Sequence, residues 1–585
     1  MSLQQSKVTP AETVQRLAIV GGGPSALYML KKLVQQRELP VSIDIFERKQ
    51  TLGAGMPYSE EGAGTEHITN VSGNEIPALR ESLDTWVKEQ DPEWLRTFDI
   101  DPATFHAYKV VPRLLFGRYL SAQFNDWLKL AQEKGIMVRV HTGATVTDIR
   151  DDAGSSEVRI KVYDTWKAFH KVIICSGHYW PTKHEGWVPN YFDSPYPPAK
   201  LRKAINRPVA IRGSSLTAID AIRTLARSNG AFERSSGNRI GRYRLNSASQ
   251  GFKLVMFSRS GLLPAVRFHL EDAQLHRSEG LSDADIEVLR EKNNGFLPLD
   301  DVFEANFKRP LQQAQPALYE KIRDLRMEEF VEHIMRAREN SDPFQLLKQE
   351  YAEAEQSIRE QRSIYWKEML GSLSFTMNYP AKYFSGEDMR RLHKTLLPLI
   401  AIVIAYVPQS SVEEMLALRE AGLLELISVG EESQVIPRPE GGAVISWEEQ
   451  GQKVEQSFDY FVDSIGQQHL DLKDLPFPGL INSGILTGAT VKFREPEAGF
   501  ALQQQGNDKI VPKGNCCYLS LSGIAINDAF QVVNEHGQPH ERIFMMAVPF
   551  MGGYNPDYSG LDFCDKASDL IVEELVKQRG IRLAS

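Results

Sequence analysis

Cysteine is scarce: Cys175, Cys516, Cys517 and Cys564 are the only four in 585 residues. So few do not build a disulfide framework in so long a chain, and a reducing cytoplasm is the expected location. No two of them form a Cys-x-x-Cys pair, which argues against a dithiol reductase. The vicinal Cys516 and Cys517 read as two small residues on a strand. Long apolar runs are also missing. The stretch 396–407 has about a dozen residues and contains Pro398, too short to cross a bilayer. It reads as a buried strand or a short core helix, and no membrane association is expected. The first ten residues are polar and lack the pattern of a signal peptide. Positive charge is not in excess: 67 basic residues face 76 acidic ones, for a net charge of -9, which weighs against nucleic acid as a partner. Among 13 histidines no metal-ligand cluster and no Ser/His/Asp signature stands out, so no metal is expected.

What is present begins with a short apolar run, 16–20, followed at once by Gly21-Gly22-Gly23-Pro24-Ser25-Ala26. Helical spacing follows over 24–36, and a second apolar run over 41–46 ends at Glu47. This is the strand–turn–helix–strand order of a βαβ unit, and the turn fits G-x-G-x-x-A. In that pattern Gly21 permits the tight turn, Gly23 admits a pyrophosphate, and Ala26 lets helix and strand pack closely. The helix start offers free N–H groups and a positive dipole end. Glu47 can accept hydrogen bonds from ribose hydroxyls. Its separation from Gly21 is slightly long but suits the connection through Glu38, Leu39 and Pro40.

A second unit opens at 208–225. Here Gly213-Ser214-Ser215 stands where the first unit has its glycines, and Ser215 removes room for a pyrophosphate. The strand 252–257 ends in Ser258-Arg259-Ser260. An arginine there suits a 2′-phosphate, so NADP is preferred to NAD, although a vestigial site remains an alternative. Residues 228–251 are rich in Ser, Gly, Asn and Arg and read as an exposed loop. Residues 272–397 read as largely helical, with helices over 316–337 and 343–370 whose charged faces suit packing, a protein partner or a second copy of the chain. Strands are expected at 424–429, 442–447 and 460–464, and a last helix at about 560–579. The expected fold is α/β: two Rossmann-like dinucleotide-binding domains, the second carrying a helical insertion. The boundaries are 1–205 for the first domain, 206–455 for the second with its insertion at about 272–397, and 456–585 for a return to the first.

Three further segments sharpen the reading: Leu52-Gly53-Ala54-Gly55-Met56-Pro57-Tyr58-Ser59, His67-Ile68-Thr69-Asn70-Val71, and Val111-Pro112-Arg113 continuing to Leu120. With the strand ending in Cys175-Ser176-Gly177, the chain resembles the bacterial FAD-NAD(P)-binding protein family. More distantly it is similar to single-chain flavin monooxygenases, including amino-acid N-hydroxylases. The resemblance is dense over about 14–265, looser over about 385–585, and poor in the helical middle. It implies FAD as cofactor. It implies that Gly53–Ser59, with Gly55, Met56 and Tyr58, wraps the flavin end, that Arg113 sits near the pyrophosphate or flavin, and that Val146 touches the adenine through its backbone. Cys175-Ser176-Gly177 would pass near the FAD. Arg48 follows Glu47 at the same site. Ser559, Gly560 and Leu561 would begin a helix whose dipole faces the flavin pyrimidine edge.

Flavin chemistry leaves hydride transfer followed by electron delivery to oxygen or to an organic acceptor. The leading expectation is an NAD(P)H-dependent, FAD-containing monooxygenase acting on a small molecule such as an amine or amino acid. Asn70 is the candidate catalytic amide at the flavin edge. The alternatives are a flavin dehydrogenase or reductase without oxygen insertion, and a non-catalytic flavoprotein that binds a protein partner.

Overall fold

The computed structural model describes residues 14–36, 41–152, 154–235, 239–271, 280–556 and 560–579. The connection 38–40 and Ser559 lie outside the described residues.

Strand β1 (Gln15–Val20) runs into helix α1 (Pro24–Gln35) and then β2 (Val41–Glu47). Leu17, Ala18, Ile19, Ile43 and Ile45 are fully buried, because a parallel strand covered on both faces needs a continuous apolar run. Helix α2 (Arg113–Glu133) leads to β3 (Met137–Thr142), and β4 (Lys171–Ile174) follows. The second unit comprises β5 (Pro208–Arg212), α3 (Leu216–Asn229), β6 (Lys253–Ser258), β7 (Leu424–Ser428) and β8 (Tyr460–Asp463). The chain then returns to the first sheet with β9 (Pro539–Met545) and closes with α4 (Leu561–Gln578), which packs along α1.

The first sheet has the order Gln531–Val533, β9, β4, β1, β2, β3, and the second the order Tyr191–Phe192, β8, β5, β6, β7. The second sheet is parallel throughout, as is the first apart from the terminal hairpin. The two doubly covered sheets match the expected pair of dinucleotide-binding folds. Strand β8 pairs with β5, so the second sheet extends past position 455.

Three local expectations change. Residues 228–251 contain a hairpin, Gly230–Arg234 with Ile240–Leu245, in place of a loop; Tyr243 anchors it by donating to the Ala226 carbonyl at 2.7 Å. The helix expected over 316–337 is two, Pro316–Ile322 and Met327–Glu339. The helix expected over 343–370 is also two, Pro343–Glu360 and Tyr365–Thr376. Gln361 stops the former in the left-handed region at φ 51, while the Arg362 amide donates back to Ser357 O at 3.1 Å and takes up a free terminal carbonyl. Within 396–407 the apolar run forms the short helix Leu397–Val403, the second of the two alternatives expected there.

The helical insertion has its own core, with Phe303, Phe307, Phe330, Leu370, Phe384 and Leu399 among its buried side chains. Val491, Phe493, Cys517 and Leu519 join that core from an antiparallel sheet formed by Gly488–Lys492, Cys516–Ile524 and Ile510–Lys513. Part of 456–585 therefore packs on the insertion, and Cys517 does lie buried on a strand.

Candidate cofactor site

The ends of β1, β2 and β4 open onto a cavity of about 530 Å³, within the usual range for small-molecule and cofactor sites. Its floor is set by two glycines. Gly21 has φ +109 and donates to Phe46 O at 2.8 Å, and a Cβ there would stand 2.5 Å from the Cys175 carbonyl oxygen. Gly23 caps α1 without a side chain, and its Cβ would stand 3.2 Å from Gly55 Cα, so two backbones meet closely. The first turn of α1 opens into the cavity at Pro24 and Ser25 and contains no acidic residue, which leaves the positive helix end for an anion.

Glu47 is buried on the cavity wall. Its two oxygens accept from Gly22 N at 2.7 Å and Lys49 N at 2.8 Å, which fixes the carboxylate and leaves a lone pair on each oxygen. Among the described residues no cation is paired with it. A fixed, unpaired carboxylate beside a helix start and a glycine cradle fits the ribose hydroxyls and pyrophosphate of a dinucleotide.

Of the residues singled out in the sequence, Gly21, Gly23, Pro24, Ser25, Glu47, Arg48, Gly55, Met56, Tyr58, Val146, Cys175, Ser176, Gly177, Gly560 and Leu561 line this cavity. Ala26 lies behind them, fully buried between helix and sheet. Gly53 supports the wall from outside: its amide donates to Gly22 O at 2.7 Å, and a Cβ would meet Leu120 O on α2 at 2.5 Å. Sequence reading missed His178, Tyr179, Pro476, Phe477, Val548 and Cys564 on the wall. Cys564 could have been found, since it lies one turn after Gly560 on α4. Pro476 and Phe477 carry no local signal and arrive through the tertiary fold.

Two expected residues face elsewhere. Arg113 is not on the cavity wall; it pairs with Asp220 of α3 at 2.6 Å and donates through Nε to Ile68 O at 3.2 Å. The reason is electrostatic. Asp220 is buried and requires a counter-charge, and although burial would raise its carboxyl, the Arg113 guanidinium, with the Tyr196 hydroxyl, holds it below the usual carboxylate range. Asn70 is likewise absent from the wall, its amide directed at the Ala405 carbonyl 3.5 Å away. Its own carbonyl accepts from Arg267, so its segment is tied to the second domain.

His67 belongs to the same junction. Its Nδ1 accepts from Gly64 N at 2.8 Å, so its proton lies on Nε2, which donates to Asp220 O at 3.1 Å. Burial lowers its pKa and keeps the ring neutral.

The second unit repeats the first in backbone detail. Gly213 has φ +115, donates to Phe257 O at 2.8 Å, and would place a Cβ 2.6 Å from Ser464 O. Ser215 caps α3 at φ −98, ψ −164, close to Gly23 at φ −84, ψ −161. Ser214 donates to Leu262 O at 2.7 Å. Arg259 is 76% exposed, with Glu431 3.9 Å away. The turns after β4 and β8 are clasped together: Tyr179 N donates to Gln467 Oε1 at 2.9 Å, Gln467 Nε2 to Tyr179 O at 2.8 Å, and Trp180 Nε1 to Gly466 O at 3.2 Å.

All four thiols are free. Burial raises the Cys175 and Cys517 thiols and pushes Cys564 up to about 12, so none of these three is poised as a thiolate. Among the described residues no cluster of potential metal ligands occurs, and no helix is long and apolar enough to cross a membrane.

Residues 18–179 match the model of the FAD-NAD(P)-binding family, and residues 282–404 match that of the YdhS-like middle domain. The protein YdhS of Escherichia coli strain K12 is 29% identical over 497 residues, covering 84% of this chain and 90% of its own length. Among solved structures, the ornithine N-hydroxylase of Kutzneria sp. 744 aligns over 97% of this chain and 100% of its own at 12% identity and a TM-score of 0.46. The bacillithiol disulfide reductase of Staphylococcus aureus aligns over 97% of this chain and 100% of its own at 10% identity and a TM-score of 0.41. The chain carries an FAD-NAD(P)-binding domain at 18–179 and a YdhS-like middle domain at 282–404, the latter inserted between β6 and β7 of the second sheet.

Proposed function

We propose that the protein takes electrons from NADPH onto FAD and delivers them to oxygen, as a monooxygenase of a small molecule such as an amine or amino acid. The observation that carries the two-nucleotide reading is the pair of matched turns, at Gly21 and Gly213, whose sheets are joined through Tyr179, Trp180 and Gln467. Bound FAD supplies the redox chemistry. Glu47 and the start of α1 would hold its ribose and pyrophosphate, with Val146 on the wall of the same cavity for the adenine. The start of α4, at Gly560 and Leu561, turns a positive dipole end toward the cavity. The raised thiols of Cys175 and Cys564 speak against thiol–disulfide exchange at this cavity. Free cysteines suit a reducing compartment such as the cytoplasm.

The test is oxygen consumption by FAD-loaded, NADPH-reduced protein with a panel of amines and amino acids. Uptake faster with one substrate than without it, and exceeding peroxide release, is the expected result. If every oxygen consumed appears as hydrogen peroxide whatever is offered, the monooxygenase gives way to a reductase. Ser215 at the second turn favours one further reading, a flavoprotein that no longer binds a nicotinamide nucleotide; failure of both NADPH and NADH to reduce the flavin would support it.

A further inference from the structure

His178 follows the turn Cys175-Ser176-Gly177 directly and stands on the cavity wall. Its Nδ1 is buried and has no hydrogen-bond partner among the described residues. A buried polar atom left unpaired costs about 1–3 kcal/mol, and an unpaired atom in a side chain on a cavity wall is a candidate for a ligand contact. The rest of the ring is held in place. It stacks on Trp180 with centroids 5.7 Å apart and planes 26° apart. Trp180 is fixed by its bond to Gly466 O and by Tyr196, whose ring lies 5.2 Å away and whose hydroxyl donates to Asp220 of α3 at 2.7 Å. Gln467 neighbours the ring, and its amide orientation is set by Tyr179: Oε1 accepts from Tyr179 N, and Nε2 donates to Tyr179 O. A neutral imidazole has one donor and one acceptor nitrogen, so the unpaired Nδ1 can serve as the acceptor.

We propose that His178 hydrogen-bonds the bound FAD, accepting at Nδ1 from a hydroxyl or ring N–H of the cofactor, and that Trp180 and Gln467 position it. This rests on the FAD reading above. Burial lowers the ring's pKa, which keeps the lone pair available at neutral pH. The supports come from the second unit: Gly466 ends the turn after β8, and Asp220 lies on α3.

The experiment compares FAD affinity, by fluorescence titration of apoprotein, and the absorption spectrum of the loaded protein. It uses the wild type, His178→Phe, His178→Asn and Gln467→Leu. Loss of one hydrogen bond predicts a dissociation constant raised about threefold to tenfold in His178→Phe, with displaced flavin absorption maxima. His178→Asn, whose amide oxygen can take the place of Nδ1, should return affinity and spectrum toward the wild type. Gln467→Leu should displace the spectrum in the same direction as His178→Phe, which a merely structural role would not do. If His178→Phe does not accumulate folded, Gln467→Leu carries the test alone. Wild-type affinity and spectrum in both His178→Phe and Gln467→Leu would overturn the role of His178. A wild-type protein that takes up no FAD would overturn the cofactor reading itself.

Discussion

At position 21 a methyl group would stand 2.5 Å from a backbone carbonyl, in a residue already at φ +109. At position 23 it would stand 3.2 Å from Gly55 Cα, at an ordinary φ. The two glycines of one motif therefore serve different ends, conformation at Gly21 and approach at Gly23. Gly21→Ala should lower thermal stability and abolish FAD binding together, since a left-handed residue costs about 1–2 kcal/mol before the clash is counted. Gly23→Ala should fold near the wild-type melting temperature and lose affinity for FAD; equal melting temperatures for both variants would refute the distinction. Arg259 stands exposed at the end of β6, where a 2′-phosphate is expected. Its removal in Arg259→Ala should narrow the preference of flavin reduction for NADPH over NADH about ten- to a hundredfold, because a charge-assisted contact is worth roughly 1.5–3 kcal/mol. Equal stopped-flow rates for the two nucleotides in the wild type would remove that role from Arg259.

The helix Tyr365–Thr376 carries Glu368 in its first turn, fully buried and with one carboxylate oxygen unpaired among the described residues. Burial pushes its carboxyl up to about 7, aided by Glu271 and Glu75 and opposed by the Ser363 hydroxyl. Between the ordinary carboxylate range and pH 7 the folded protein holds a proton that the unfolded chain has released. The stability this group contributes is therefore complete at low pH and is lost as pH rises through about 7. The loss amounts to roughly 3 kcal/mol. Glu368→Gln should match the wild type in urea at pH 4.5 and exceed it at pH 8; equal urea midpoints at pH 8 would show that the carboxyl titrates normally. The element also shows why helical patterning overran its boundary. Apolar spacing continues across Gln361, and only the left-handed stop with its return bond to Ser357 ends the helix there.

Across the whole molecule the domains meet through buried charge. Arg113 of the first domain and Asp220 of the second are 14% and 7% exposed, and Arg223 and Glu414 at 2.9 Å tie α3 to the helix Gln409–Glu420. Asp220→Ala leaves Arg113 buried without its counter-charge and should cost about 3–5 kcal/mol, read as a lowered guanidinium midpoint. A midpoint within error of the wild type would mean that the domains do not depend on this pair. The sequence by itself determined the two strand–turn–helix units, the cradle of Gly21 and Gly23 with Glu47, and the helical character of the middle. Those features arise from local periodicity and from conformations that only glycine adopts readily. Tertiary structure alone decided that Arg113 answers a buried Asp220, that Asn70 faces Ala405, that Pro476 and Phe477 reach the cavity, and that strands near 490 and 517 complete the core of the insertion. Each of those outcomes depends on residues distant in the chain competing for the same buried charge or apolar surface, and spacing along a sequence carries no record of that competition.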